Sequence, residues 1–254
     1  MKGFLSSLTR VGAVRGYSSL KKVEGIKHAI AVASGKGGVG KSTTAVNLAV
    51  ALATKCQLKV GLLDADVYGP NVPIMMKINS KPEVTEGREC SWKNGQGCDL
   101  GKLDILVVDM PPGTGDAQIA ISQLLHLSGA LIVSTPQDVA LMDARRGVKM
   151  FSKVQVPILG IVENMSCFTC PHCGEPSFIF GNGGTRKTAS EMGLEFVGEI
   201  PLEVDIRKGG DDGVPIVVSA PDSLVSKAYG DLAQKVVDRL DELSKEHPPP
   251  EILL

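Results

Sequence analysis

Ile30-Ala31-Val32-Ala33-Ser34-Gly35-Lys36-Gly37-Gly38-Val39-Gly40-Lys41-Ser42-Thr43 is an apolar run that breaks into a glycine-rich loop and ends in Lys-Ser-Thr. Four residues separate Gly35 from the Gly40-Lys41-Ser42 triplet, the spacing of a phosphate loop between a buried strand and a helix that begins near Ser42. Glycines at 35, 37, 38 and 40 let the backbone curl until successive N–H groups face one anion. The helix N-terminus adds its positive end, with Val39 and Thr43 completing the cradle. Lys41 is long enough to reach β- and γ-phosphates, and the Ser42 hydroxyl suits Mg²⁺. The stretch predicts a nucleoside triphosphate site.

Outward from the loop, apolar runs and helical patterns alternate. The reading places strands at Ile30–Ser34, Lys59–Asp64, Leu103–Asp109, Gly129–Ser134, Ile158–Asn164 and Phe196–Ile200. Helices are expected at Thr43–Thr54, Asp116–Ser128, Leu141–Val154, Thr185–Met192 and Ser223–Lys245. The strands are continuous apolar runs, as a parallel sheet covered on both faces requires. The expected fold is α/β, a doubly wound, mostly parallel sheet of the P-loop NTPase type, in one domain over residues 23–246. With 43% hydrophobic but only 4% aromatic residues, its core should be aliphatic.

Open α/β sheets place ligands at the carboxyl ends of their strands, and the acids of this chain fall there. Asp109 closes Leu103-Asp104-Ile105-Leu106-Val107-Val108-Asp109, the apolar run plus carboxylate that serves Mg²⁺. The following Met110-Pro111-Pro112-Gly113-Thr114-Gly115-Asp116 suits a loop that responds to the γ-phosphate. Asp64 and Asp66, two apart at the end of another strand, point the same way off an extended backbone. Asp64 is assigned to Mg²⁺ and Asp66 to orienting the attacking water; the competing reading makes each a helix cap.

A second lysine, Lys36, sits inside the phosphate loop. Lys36-Gly-Gly-Val-Gly-Lys-Ser-Thr43 resembles the deviant Walker A of the MinD/ParA/nitrogenase-iron-protein superfamily. Asp64-Ala-Asp-Val-Tyr-Gly-Pro-Asn71, Asp109-Met-Pro-Pro-Gly-Thr-Gly-Asp116 and Asn164-Met-Ser-Cys-Phe-Thr-Cys-Pro-His-Cys173 are similar to its Mrp branch of iron–sulfur carrier ATPases. The resemblance, from about Val23 to Leu243, implies a MinD-like fold and slow ATP hydrolysis coupled to cluster transfer. It also implies an ATP-sandwich homodimer in which Lys36 reaches the partner's nucleotide. Asn164 is implied to read the adenine edge, though a turn-capping role is the alternative, and Pro201 to lie in a base-contacting segment. Cys170 and Cys173 are implied as ligands of a [4Fe–4S] cluster. The partners implied are apo iron–sulfur proteins, subunits of respiratory complex I among them.

The cysteines fit that chemistry. A cubane takes four thiolates, and Cys170-Pro-His-Cys173 presents two from one turn, so two chains would complete a bridging cluster. The competing reading is a zinc knuckle from Cys167, Cys170, His172 and Cys173. Cys56, Cys90 and Cys98 read as ordinary thiols.

Charge and composition bound the remaining possibilities. Residues 1–19 are basic, serine-rich and free of acids, the pattern of an organellar transit peptide, and Arg15-Gly-Tyr-Ser18 resembles a mitochondrial processing site. The expected location is the mitochondrial matrix, with chloroplast stroma second. Without the five basic residues of positions 1–22 the chain carries −6, which offers nucleic acid no general attraction. No apolar stretch is long enough to span a bilayer, so stable membrane insertion is not expected. Acids spread along the last helix match anionic lipid poorly, against a MinD/ParA-type positioning ATPase; a zinc-stapled, ATP-dependent scaffold is the other alternative. Residues 247–254, with Pro248-Pro249-Pro250, read as a disordered tail. Glu86–Lys102 is polar and glycine-rich where the Mrp branch carries a longer stretch with a strand and a helix. The expected consequences are an unpaired sheet edge and impaired dimerisation or partner docking.

Overall fold

The strand that feeds the phosphate loop lies in the middle of the sheet. In the computed structural model, which describes residues 25–79, 83–84, 90–91, 102–170 and 172–246, β1 (Ile26–Ala33) is parallel to β5 (Leu103–Asp109) on one side. On the other it is parallel to β6 (Gly129–Ser134). Beyond β5 comes β2 (Val60–Asp64), and beyond β6 comes β7 (Ile158–Thr169), both parallel again. β7 also carries the parallel β9 (Phe196–Leu202) and a short antiparallel β8 (Pro176–Ser177). The transit-peptide and tail expectations, and most of Glu86–Lys102, lie outside the described residues.

Why the strands are apolar throughout is visible in β1. Ile30 and Val32 face one core with Leu48 and Leu52 of α1 (Lys41–Thr54) and Tyr229, Leu232 and Val236 of α8 (Leu224–Glu246). Ala29, Ala31 and Ala33 face the other, under Ala144, Val148 and Phe151 of α4 (Asp138–Lys153) and Ala189 of α5 (Gly184–Met192). The tyrosine is fully buried, one of few aromatics in a core that is otherwise mainly aliphatic.

Several elements differ from the sequence reading. β1 begins four residues earlier, and β7 continues five residues past Asn164. The helix α3 (Asp116–Leu124) stops short of Ser128 because the chain turns extended at Leu125 and the Ser128 N–H is claimed by the Ala29 carbonyl of β1. The reading missed α2 (Val72–Met75), α6 (Val204–Asp212) and α7 (Ile216–Ser219). It also missed a two-stranded pair, β3 (Glu83–Val84) with β4 (Cys90–Ser91). These are too short to show a period, and α6 contains Gly209 and Gly210, which lower helix propensity.

Among the described residues β2 pairs with β5 alone and ends the sheet. Its Leu63 is 41% exposed, an apolar residue at an open edge.

Candidate functional site

The glycines of the phosphate loop are required for different reasons. At Gly35 a Cβ would lie 2.1 Å from the backbone of Asp143 in α4, so only a hydrogen fits. Gly40 has φ +82°, and a Cβ there would meet Asn164 Nδ2 at 2.1 Å. Gly38 shares φ +82° but faces open space, as does Gly37, so no protein atom needs that room. α1 starts at Lys41 without a side-chain cap, which leaves its orphan N–H groups to an anion in the loop. Val39 is buried beneath the loop, Thr43 is half-buried on the first turn, and the half-buried Lys36 is held by its carbonyl, which accepts the Ser34 hydroxyl at 2.9 Å.

Lys41 is buried and donates to Asp109 Oδ1 at 2.5 Å and to Ser42 Oγ at 3.1 Å. Asp109 is inaccessible to solvent, and its Oδ2 has no partner. Burial pushes its carboxyl pKa above the ordinary range, against the pull of the Lys41 ammonium and the Ser42 hydroxyl; Asp64 pushes up further. An orphaned, buried carboxylate oxygen beside a serine hydroxyl is a donor set that fits Mg²⁺. Asp64 stands opposite Asp109 in the β2–β5 register. Its Oδ1 accepts Asp66 N–H, and its Oδ2 accepts Asn71 and Val72 N–H at 3.0 Å each, so it also organises the loop entering α2. The N-cap position of α2 is Asn71, so Asp64 braces the entry to that helix without being its cap residue. Asp66 is half-buried on the same loop.

A cavity of about 450 Å³ opens beside Gly40 and Thr43. Asn164 and Pro201, the two residues implied to contact a base, both line it. Asn164 Nδ2 donates to the Val39 carbonyl at 2.8 Å, which leaves Oδ1 as the acceptor toward a ligand. The same cavity is lined by Met165, which lies inside the Asn164–Cys173 motif but was given no role there, and by Met75 of α2 and Arg207 of α6, which no motif marks. Glu163, also missed, is buried and accepts the Thr185 N–H that opens α5. Its signal was a charged residue beside Asn164 at the end of an apolar run.

Past Asn164, β7 carries the chain to the thiols. Phe168 and Thr169 pair with Ser177 and Pro176 of β8, and the turn between them holds Cys170 and Cys173. Cys170 N–H donates to Glu175 O at 3.0 Å and Gly174 N–H to Cys170 O at 2.8 Å, with Gly174 at φ +75°. Backbone N–H groups of Cys173 and His172, then the Cys173 thiol, hold the Cys170 thiol below its ordinary pKa. Cys167 and Cys170 are half-buried, Cys173 is exposed, and all three are free thiols. Among the described residues no three His, Cys, Asp or Glu side chains converge on a metal-sized point.

The sequence model of the NUBPL iron-transfer P-loop NTPases matches residues 25–96 and 95–237. The chain belongs to that family. Its Arabidopsis thaliana relative, "Iron-sulfur protein required for NADH dehydrogenase, mitochondrial", is 61% identical over 93% of this chain and 86% of its own length. The mouse "Iron-sulfur cluster transfer protein NUBPL" is 48% identical over 89% and 82%. Among solved structures, an Archaeoglobus fulgidus nucleotide-binding protein in complex with ADP superposes with TM-score 0.70 at 36% identity, over 80% of this chain and 92% of its own. The Pyrococcus furiosus cell-division ATPase MinD, at 24% identity and TM-score 0.63, shares the fold. The NUBPL match falls into two pieces that meet at residues 95–96, and the 270 aligned positions of the Arabidopsis relative exceed the 254 residues of this chain. Both facts agree with a shortened stretch between α2 and β5.

Proposed function

We propose that this protein is an ATP-dependent iron–sulfur cluster carrier of mitochondria, with the matrix as its compartment. Two copies hold a [4Fe–4S] cluster between them and deliver it to apo-proteins, including subunits of NADH dehydrogenase (complex I). One observation carries the reading: a single strand, β7, leads from Asn164, which is hydrogen-bonded to the phosphate loop, to a turn that holds two free thiols, Cys170 half-buried and Cys173 exposed. Two thiolates per chain are half of what a cubane needs, so a second copy completes the site. The names of the relatives support the cargo and its destination.

In this mechanism the loop N–H groups of Gly35, Gly37, Gly38, Val39 and Gly40, with those of Lys41, Ser42 and Thr43, cradle the phosphates. Lys41 turns from Asp109 toward the β- and γ-oxygens, and Lys36 reaches the nucleotide of the second copy. Ser42, Asp64 and Asp109 are the residues that would hold Mg²⁺, which would supply neutralisation of the charge developing on the phosphates. Asp66 orients the water that displaces ADP from the γ-phosphoryl, a slow step that biases the pair of copies. Asn164 Oδ1 accepts the adenine amino group, a donor that guanine lacks at that edge, and Pro201 packs against the base. Cys170 and Cys173 bind the cluster as thiolates.

The test is anaerobic reconstitution with iron and sulfide on wild type and on the Cys170→Ala/Cys173→Ala double variant. About four iron atoms per dimer, lost in the variant, support the carrier. Tightly held zinc at about one per chain, indifferent to sulfide, would replace it with a zinc-stapled ATPase.

A further inference from the structure

We infer that Met165 is a positioning residue through which occupancy of the nucleotide cavity sets the exposure and reactivity of Cys170. The inference rests on the carrier reading above and identifies the element that links its two sites.

Asn164 and Cys170 are ends of one short path. Six residues of strand span at most about 20 Å. Asn164 is tied to the phosphate loop by its bond to the Val39 carbonyl, and Cys170 is tied to the hairpin by its bonds with Glu175 and Gly174. Between them the strand is irregular. Asn164 pairs with Ile200 and Phe168 with Leu202, so β7 takes four steps where β9 takes two. The two surplus residues form a bulge, and it begins at Met165.

Met165 is itself in an uncommon state. Its φ is +56°, the left-handed region that residues with a Cβ rarely adopt. Strained residues of this kind gather at sites that switch. Its side chain lines the cavity, with Cε 3.6 Å from where a Cβ on Gly40 would sit. One residue therefore touches the space a nucleoside fills and shapes the bulge that aims the thiol hairpin. A ligand that moves the Met165 side chain must act on that bulge, and the bulge can relax only along β7 or through its pairing with β9. Two packings of the bulge, biased by the cavity, supply the two-state element that coupling requires.

The experiment uses cluster-free protein and ADP, at a concentration where light scattering reports a monomer, so that pairing of copies does not shield the thiols. Mass spectrometry follows the rate of Cys170 alkylation by iodoacetamide with and without ADP, while a fluorescence titration checks ADP binding separately. In wild type, ADP is expected to change the rate by about fivefold or more, the lower range of coupling between sites. In Met165→Ala, at ADP concentrations that the titration shows to be saturating for that variant, the ratio falls to about 1. Met165→Gly removes the same side chain while accommodating the positive φ, so it gives the same result should the alanine variant fold poorly. Met165→Leu, which restores an apolar lever, recovers the ratio. Equal wild-type rates with and without bound ADP, or a full response in the glycine variant, would overturn the inference. Iron reconstitution of the same proteins reads the carrier function independently. Wild type that binds no iron but shows a Met165-dependent thiol response would sink the carrier and leave this coupling standing.

Discussion

Lys41 and Asp109 meet as a buried ion pair, 2.5 Å from Nζ to Oδ1, and the second carboxylate oxygen of Asp109 is left without a partner. The pair holds the candidate phosphate-binding ammonium and a candidate Mg²⁺ ligand together across 68 residues of sequence. Without nucleotide each is the other's counter-charge.

Lys41→Met strands the Asp109 charge and should cost about 3–5 kcal/mol of stability, read by urea unfolding of nucleotide-free protein. The pH dependence has a definite sign. Asp109 has its pKa raised in the folded state, so the folded protein binds the extra proton; its contribution is full below the unfolded carboxylate pKa and is lost as pH rises through the folded one. Removing the ammonium raises that pKa further, so the penalty of Lys41→Met deepens as pH rises through the folded-state pKa of the Asp109 carboxyl. The Lys41→Met/Asp109→Asn double variant should be more stable than the single, because no charge remains buried. A double variant that is less stable would show that the carboxylate is not the source of the penalty.

Two glycines of one loop should respond differently to alanine. Gly40→Ala puts a Cβ on Asn164 Nδ2 at φ +82° and should lower Tm by about 4 °C or more, with a loss of nucleotide affinity. Gly37→Ala meets open space at an ordinary φ and should leave the Tm of nucleotide-free protein unchanged. Differential scanning calorimetry of the two variants separates room needed by the fold from room left for a ligand.

How much of this was legible follows from where the forces act. The phosphate loop, the apolar strands and Asp109 were readable because each is local: a spacing, a run, a run ending in an acid. The β7 bulge was not, because Met165 carries no mark of a left-handed residue, and only the competing demands of β8 and β9 create the irregularity. Asp64 was read as a metal ligand in competition with a cap. Its three backbone donors come from Asp66, Asn71 and Val72, whose return to it depends on α2, a helix too short to show a period.

Thiol titration should order the cysteines by surroundings rather than by exposure alone. N–H groups of Cys173 and His172 lower the pKa of Cys170, so its alkylation should saturate at a lower pH than that of an ordinary thiol. Burial, then Asp238, raises that of Cys56, so its alkylation should lag until higher pH. Rates mapped by residue across mildly acid to alkaline pH check this order; a common inflection for the two would contradict it.

The open edge of β2 gives the last prediction. Val60-Gly61-Leu62-Leu63 is uncharged and apolar on both faces, the pattern of an interior strand, yet among the described residues it pairs on one side only. Edge strands of soluble proteins carry charges, proline or bulges that discourage pairing with a neighbour, and this one carries none before its terminal Asp64. Concentrated protein should therefore self-associate without nucleotide, and Leu63→Lys should suppress that by placing a charge at a position already 41% exposed. Light scattering across a concentration series, with and without ATP, distinguishes the edge from the nucleotide-dependent pairing proposed above. Leu63→Lys should abolish the first and spare the second, whereas Lys36→Ala should do the reverse. Loss of both associations in Leu63→Lys would mean that one surface serves the two.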